Sequence, residues 1–153
     1  MSAIYYMKGD LFTSTAQTLV NPVNCKGVMG AGLALAFKQR YPKMFQAYQQ
    51  DCAAGRLRIG RPVLYTESTP WILNFPTKNH WRQPSTLSII EQGLAHFVAH
   101  YRKQGITSIA FPKLGTLHGR LSWDTVGPLM ARYLRALDID VFLYITDEDT
   151  PYS

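Results

Sequence analysis

Apolar and polar positions along the chain switch between short runs and longer stripes at 3.6-residue spacing, the rhythm of an α/β fold. Ile4–Met7 reads as a first strand, ended by Lys8-Gly9-Asp10. Thr18–Val20 starts a second strand that runs into a polar turn at Asn21-Pro22-Val23-Asn24. Leu33, Ala36, Phe37 and Arg40 then recur at helical spacing, and Pro42 either closes that helix or opens the next. Met44, Phe45 and Tyr48 carry the helical pattern to about Ala54, and Val63–Thr66 with Trp71–Phe75 form a hairpin pair around Glu67-Ser68-Thr69-Pro70. Ser85 is placed to cap a long helix whose apolar stripe is Leu87, Ile90, Leu94, Phe97, Val98 and Tyr101, with Gly105 as its stop. Ser108–Phe111 is a short buried strand, followed by a loop at Pro112–Ser122. A helix over Asp124–Leu137 turns Val126, Leu129, Met130, Tyr133, Leu134 and Leu137 inward, and Val141–Ile145 is the last strand. Six strands with helices between them predict a mixed, mostly parallel sheet covered on both faces. Ligands in such folds sit beyond the strand carboxyl ends, where the loops gather.

Composition narrows the class. A chain of 153 residues, without internal repeat, low-complexity segment or linker, is expected to form one domain over its whole length. With 46% hydrophobic and 17% charged residues it is globular rather than disordered. No apolar run approaches the roughly 20 residues of a membrane helix, and the N-terminal stretch lacks the basic-then-apolar pattern of a secretory signal. Cys25 and Cys52 have neither metal-ligand spacing nor a disulfide framework, and free thiols fit a reducing compartment, so the expected setting is the cytoplasm, away from membranes. Net charge is +6, from 16 Lys and Arg against 10 Asp and Glu, which suits a polyanionic partner. Its densest basic group, Arg56, Arg58 and Arg61, reads either as a solvated loop or as a nucleic-acid contact.

The strongest local pattern is Asn24-Cys25-Lys26-Gly27-Val28-Met29-Gly30-Ala31-Gly32, directly after a strand and directly before a helix. Glycines there let backbone amides approach phosphate oxygens, and a helix N-terminus adds a positive dipole. The spacing is GxxGxG rather than the dinucleotide GxGxxG, and no acidic residue follows at the ribose position. The residues alone therefore leave two readings: a phosphate or ribose close to backbone, or tight packing. Other constellations are weaker. His96 and His100 lie four apart on the long helix, but no Glu follows His96 and no third ligand is evident, so no metal is expected. Cys25 lacks an evident His and acid partner for nucleophilic work. Asp147-Glu148-Asp149 reads as a solvated tail.

Five motifs occur in order along the chain: Lys8-Gly9-Asp10-Leu11-Phe12, the string VNPVNCKGVMGAGLALAFKQRYP, Thr77-Lys78, Pro84-Ser85-Thr86-Leu87, and FPKLG followed later by LSW. Together they resemble the macrodomain family, in particular the branch that holds the terminal ADP-ribose glycohydrolase and the DarG antitoxins. The resemblance runs from about Lys8 to about Ile145 and implies a three-layer α/β/α fold that binds ADP-ribose and needs no cofactor. It implies that Asp10, followed by Leu11, accepts a hydrogen bond from the adenine amino group, where an ordinary turn aspartate is the other reading. It implies that Asn24 and the backbone of Gly30, Ala31, Gly32 and Leu33 wall the distal ribose. Gly115, Thr116, Leu117, His118 and Gly119 would be the second phosphate-embracing loop, although Leu117 and His118 are bulkier than the residues common there. Tyr144 either packs on adenine or belongs to the core.

Lys78, beside Thr77, matches the catalytic lysine of this branch, which attacks the anomeric carbon of the distal ribose. Attack needs the free amine, so its pKa must fall below the ordinary value of about 10.4, by desolvation or a neighbouring cation such as His80 or Arg82. Apart from the family match, the same lysine reads as a surface residue steering phosphate. Terminal glycohydrolases of this branch also use an aspartate in the second loop, where this chain has Gly119, which tilts the likeness towards the DarG type. The resemblance thus implies removal of ADP-ribose from thymidine in single-stranded DNA. Its alternatives are a non-catalytic ADP-ribose reader, or action on protein carboxylates or on ADP-ribose 1″-phosphate. Exposed aromatics such as Trp71 and Trp81 would suit a DNA substrate, with Trp81 equally open to a core role. A monomer is expected, with an ADP-ribosyltransferase toxin as partner through a region outside this chain.

Overall fold

Period-two alternation along the strands divides their side chains between two cores. The computed structural model describes residues 3–153. It contains the strands β1 (Ile4–Met7), β2 (Thr18–Val23), β3 (Val63–Tyr65), β4 (Trp71–Pro76), β5 (Ser108–Phe111) and β6 (Asp140–Tyr144). The helices are α1 (Gly32–Arg40), α2 (Pro42–Ala53), α3 (Leu87–Gln104) and α4 (Trp123–Leu134). Strand order is β1-β6-β5-β2-β4-β3, parallel throughout except for β3, which pairs antiparallel on β4 as the hairpin pattern predicts. Val20, Leu73, Phe75, Ile109, Phe111, Val141 and Leu143 point to one face and pack with α3 and α4 through Ile90, Leu94, Phe97, Val126, Met130 and Leu134. Their neighbours Leu19, Ile72, Ala110 and Tyr144 point to the other, against Phe37, Met44 and Tyr48 of α1 and α2. Three layers, α/β/α, follow from that split.

The elements differ from the sequence reading at instructive places. β2 does not turn at Asn21-Pro22 but continues through Val23, paired with β4 as far as Val23↔Pro76. The carbonyls of Gln17 and Val23 both accept from the β4 side, from Trp71 N at 2.9 Å and Thr77 N at 2.9 Å. By alternation, the missing N–H of Pro22 faces β5, and β5 pairs with β2 only at Thr18 and Leu19. Proline is harmless where no ladder bond is due. Beyond Leu19 the two strands part, and that gap is where the loops converge.

Pro42 opens α2 at its first turn rather than merely closing α1. The cap of α3 is Thr86, whose side chain accepts from Ile89 N at 3.3 Å, and not Ser85. Leu87 on the expected stripe, the first residue of α3, is exposed. α4 ends at Leu134, and Leu137 reaches the core from the following turn. Gly93 sets how closely α3 lies on the sheet: a Cβ there would stand 2.7 Å from Phe75 Cε1. No helix among the described residues is long and apolar enough to cross a membrane.

Candidate functional site

A cavity of about 940 Å³ opens at the carboxyl ends of the parallel strands, over the gap between β2 and β5. Each of the five parallel strands delivers a segment to it: Gly9–Leu11 after β1, Pro22–Asn24 from β2, Thr77 and Lys78 after β4, Pro112 and Lys113 after β5, and Tyr144 from β6. Every residue that the resemblance assigns to ADP-ribose or to catalysis lines this cavity except Gly32, which is exposed beside it, whereas Trp71, His80 and Arg82 do not line it. Gly32 nonetheless matters sterically, since a Cβ on it would come within 3.0 Å of His118 Nε2. The glycine loop and the 115–119 loop thus close towards each other across the groove.

The glycine loop is held from three sides. Asn24 is buried; its Oδ1 accepts from Lys26 N at 2.9 Å and from Tyr48 OH at 2.9 Å, while its Nδ2 donates to Val28 O at 2.7 Å. Tyr48 OH also lies 2.8 Å from Asn24 O. Cys25 N donates to Asn79 O at 3.0 Å, which fastens the loop to the segment carrying Lys78. One Nδ2 hydrogen of Asn24 stays without a partner among the described residues. α1 starts without a side-chain cap, so the amides of its first turn remain unspent, aimed at the groove.

The second loop owes its shape to two glycines. Gly115 has φ +72°, and Leu121 N returns to its carbonyl at 2.8 Å. Gly119 tolerates no side chain: a Cβ there would collide with Ser85 Oγ and meet Gly115 O at 2.5 Å. A carboxylate side chain at this position of the loop therefore has no room here. Ser85, the misassigned cap, is instead a buried prop, its N donating to Gly119 O at 2.8 Å. Leu117 is 75% exposed on the outer lip.

Lys78 is buried, at 9% exposure, and no carboxylate pairs with it among the described residues. Its Nζ donates to Trp81 O at 2.9 Å and lies 3.4 Å from His118 O. Burial pushes its pKa below the ordinary lysine value, and the Arg120 cation pushes the same way. The expected helpers were His80 and Arg82; instead His80 stacks on Trp81 at 3.8 Å, and its Nδ1 accepts from Arg82 N. Arg120, brought in from the far loop, was not legible as a neighbour, being 42 positions away in sequence. At the β1 side of the cavity, Asp10 is exposed; its Oδ1 accepts from Phe12 N at 2.9 Å, and its other oxygen is open. Tyr144 is both core and cavity floor.

Asp149 is not part of a solvated tail. Burial alone would raise its carboxyl, but Lys113 at 2.7 Å and hydrogen bonds from Thr146 outweigh that and hold it below the usual carboxylate value. The Lys113 charge is thereby matched at the cavity edge. Cys25 is pushed up to about 11, chiefly by burial, so it stays a thiol at neutral pH and is a poor nucleophile. His96 and His100 stack at 4.0 Å, and among the described residues no cluster of three His, Cys, Asp or Glu could hold a metal. Trp71 is half-buried beside Gly105, whereas Trp81 is exposed.

A crevice at the carboxyl ends of a three-layer α/β/α sheet, walled by unspent amides with a lone buried lysine, defines a nucleotide-type binding protein. The chain belongs to the Macro domain family, whose pattern it matches over residues 20–130. It is 42% identical over 146 residues to a DNA ADP-ribosyl glycohydrolase of Mycobacterium tuberculosis, covering 92% of this chain and 42% of that protein. Among solved structures it is similar to the macrodomain of Thermus aquaticus DarG, with TM-score 0.89 and 37% identity over 95% of this chain and 99% of that one. It is also similar to Thermosipho africanus DarTG in complex with ADP-ribose, with TM-score 0.89 and 41% identity over 95% of this chain and 43% of that one. The chain spans about 42% of the length of the curated relatives it matches first.

Proposed function

We propose that this chain is a single macrodomain that binds ADP-ribose in the cavity and removes it from thymidine in single-stranded DNA, with Lys78 as nucleophile. The observation that carries the reading is the buried Lys78 amine, unpaired by any carboxylate and depressed in pKa at the cavity wall. In this reading the open oxygen of Asp10 accepts from the adenine amino group, with Leu11 and Tyr144 against the ring. The amides of Gly30–Leu33 and of the 115–119 loop take the diphosphate, and Asn24 with Thr77 borders the distal ribose. The lone pair of Lys78 Nζ attacks the anomeric carbon of that ribose as its bond to the thymine nitrogen breaks. The bonding electrons leave with thymine, where two carbonyls spread the charge until a proton arrives from water. Water then cleaves the lysine–ribose adduct, returning the amine and releasing ADP-ribose. Pre-organised amides and the fixed lysine supply orientation and charge stabilisation.

Names of relatives support the substrate: those at about 40% identity are DNA ADP-ribosyl glycohydrolases, one fused to a DNA ADP-ribosyl transferase. By the same token the proposed partner is an ADP-ribosyltransferase toxin, engaged through a region outside this chain. The protein is proposed to act as a monomer in the cytoplasm, where Cys25 and Cys52 stay reduced. The deciding assay is clearance of a labelled ADP-ribosylated thymidine oligonucleotide. Lys78→Ala should abolish it while leaving ADP-ribose binding nearly intact. Clearance by Lys78→Ala at the wild-type rate sinks the lysine mechanism. Tight ADP-ribose binding by a wild type that never clears the oligonucleotide makes the protein a reader instead.

A further inference from the structure

Trp81 has no role in the chemistry above, yet it occupies the place next to the lysine. Its own carbonyl accepts from Lys78 Nζ at 2.9 Å, so the indole is fixed within one residue's reach of the reacting amine. The side chain lines the cavity and is 43% exposed. An indole left wet beside a cavity forfeits apolar burial, which makes it a candidate contact for something that arrives.

It is also held still. The His80 ring lies against it at 3.8 Å with 25° between planes. His80 is fixed in turn: its N donates to Gln83 Oε1 at 3.2 Å and its Nδ1 accepts from Arg82 N at 3.1 Å. A large aromatic with its rotamer fixed loses little entropy on binding a flat partner. Leu117, also lining the cavity, is the other exposed large apolar side chain there.

With the adenine end of the ligand at Asp10 and Tyr144, the group attached to the distal ribose leaves at Lys78, the other end of the proposed pose. Trp81, exposed and bonded through its carbonyl to Lys78 Nζ, stands beside that bond. A planar heterocycle gains from an indole face, whereas a departing carboxylate meets the negative face of the ring and gains nothing. We infer that Trp81, backed by His80, is the platform on which the nucleobase carrying the ADP-ribose stacks.

This rests on the reading that the cavity holds ADP-ribose with its distal ribose at Lys78. The test compares wild type, Trp81→Phe and Trp81→Ala in two measurements: kcat/KM on an ADP-ribosylated thymidine oligonucleotide, and the Kd of free ADP-ribose, which has no base at that position. Trp81→Ala should lower kcat/KM about tenfold, mostly through KM, within the worth of one base–aromatic stack. Its Kd for ADP-ribose should stay within about twofold, and Trp81→Phe should keep most of the activity. Equal losses in turnover and in ADP-ribose affinity would mean that Trp81 only shapes the Lys78 segment, which overturns the platform. So would an active wild type matched by an equally active Trp81→Ala. A wild type inactive on the oligonucleotide removes the glycohydrolase reading and the platform with it.

Discussion

As the proposed nucleophile Lys78 needs a neutral amine, and how readily it gives up its proton is set by its surroundings. Burial and Arg120 both lower its pKa, and no anion opposes them. Activity should therefore rise with pH as the amine is freed, along a limb centred below the ordinary lysine value of 10.5. Arg120→Ala removes one of the two causes, so a pH–rate profile should show that limb displaced to higher pH and the neutral-pH rate reduced. An unmoved limb would mean that Arg120 does not set the amine's charge state. Stability follows with a fixed sign. Between the lowered folded value and 10.5 the unfolded chain binds more protons, so stability grows as pH rises through that window. Lys78→Met, with nothing to titrate, should lose that dependence in urea melts while gaining most stability at neutral pH. How readable these residues were from sequence depends on where their partners come from. Lys78 was recognisable by its motif, whereas the effect of Arg120 on it depends on the topology that folds the 112–122 loop over β4. Ser85 and Thr86 are equally good caps on paper, and only the crowding at Gly119 decides which one is buried. Asp149 looked solvated among other acids until Lys113, 36 positions away, was brought to it.

The glycine loop is shaped as much by α2 as by its own glycines. Tyr48, fully buried on that helix, reaches Asn24 at both its carbonyl and its side-chain oxygen. Burial pushes the phenol's pKa upward, so it stays a neutral donor. Tyr48→Phe keeps the ring and removes the hydroxyl, leaving Asn24 oxygens short of a partner, at a cost of about 1–3 kcal/mol in unfolding free energy. The loop should loosen as well, weakening ADP-ribose binding several-fold by calorimetry. A variant that melts lower but binds ADP-ribose as wild type would detach Tyr48 from the site. At this scale most of the fold was legible, because helices and strands announce themselves through local periodicity: the hairpin of β3 and β4, the stripe of α3 from Ile90 onward and the buried β5 all stand where predicted. The exception is β2. Asn-Pro is a turn signal in isolation, and it is overridden here because Pro22 faces the side where β5 has already stopped pairing. The same parting of strands that hides the second half of β2 from sequence reading creates the opening of the cavity.

Charge is a property of the whole molecule, and topology decides where it acts. Arg56, Arg58 and Arg61 lie far from Lys78 in the chain, in the turn before β3. β3 runs antiparallel, pairing Val63 with Asn74, so its entrance lies at the end of the sheet from which β4 delivers Lys78. The basic turn is thereby carried to the same end of the molecule as the cavity, and a solvated loop in sequence becomes a flank of the site. Arg56 is tied to Asp51 at 2.8 Å, while Arg58 and Arg61 remain exposed across their own bridge. If a single strand leaves Trp81 in this direction, its phosphates pass Arg58 and Arg61. Each phosphate contact on a single strand steepens the dependence of log affinity on log salt by about 0.7. Binding of a modified oligonucleotide of ten or so nucleotides to Lys78→Ala, followed across a salt series, should flatten by about 1.4 when Arg58 and Arg61 are both changed to Ala. A modified dinucleotide, too short to reach the turn, should show no such change. Equal salt slopes with and without the two arginines would route the strand over the other lip, past Leu117, and leave the turn a solvated feature of the β3 edge.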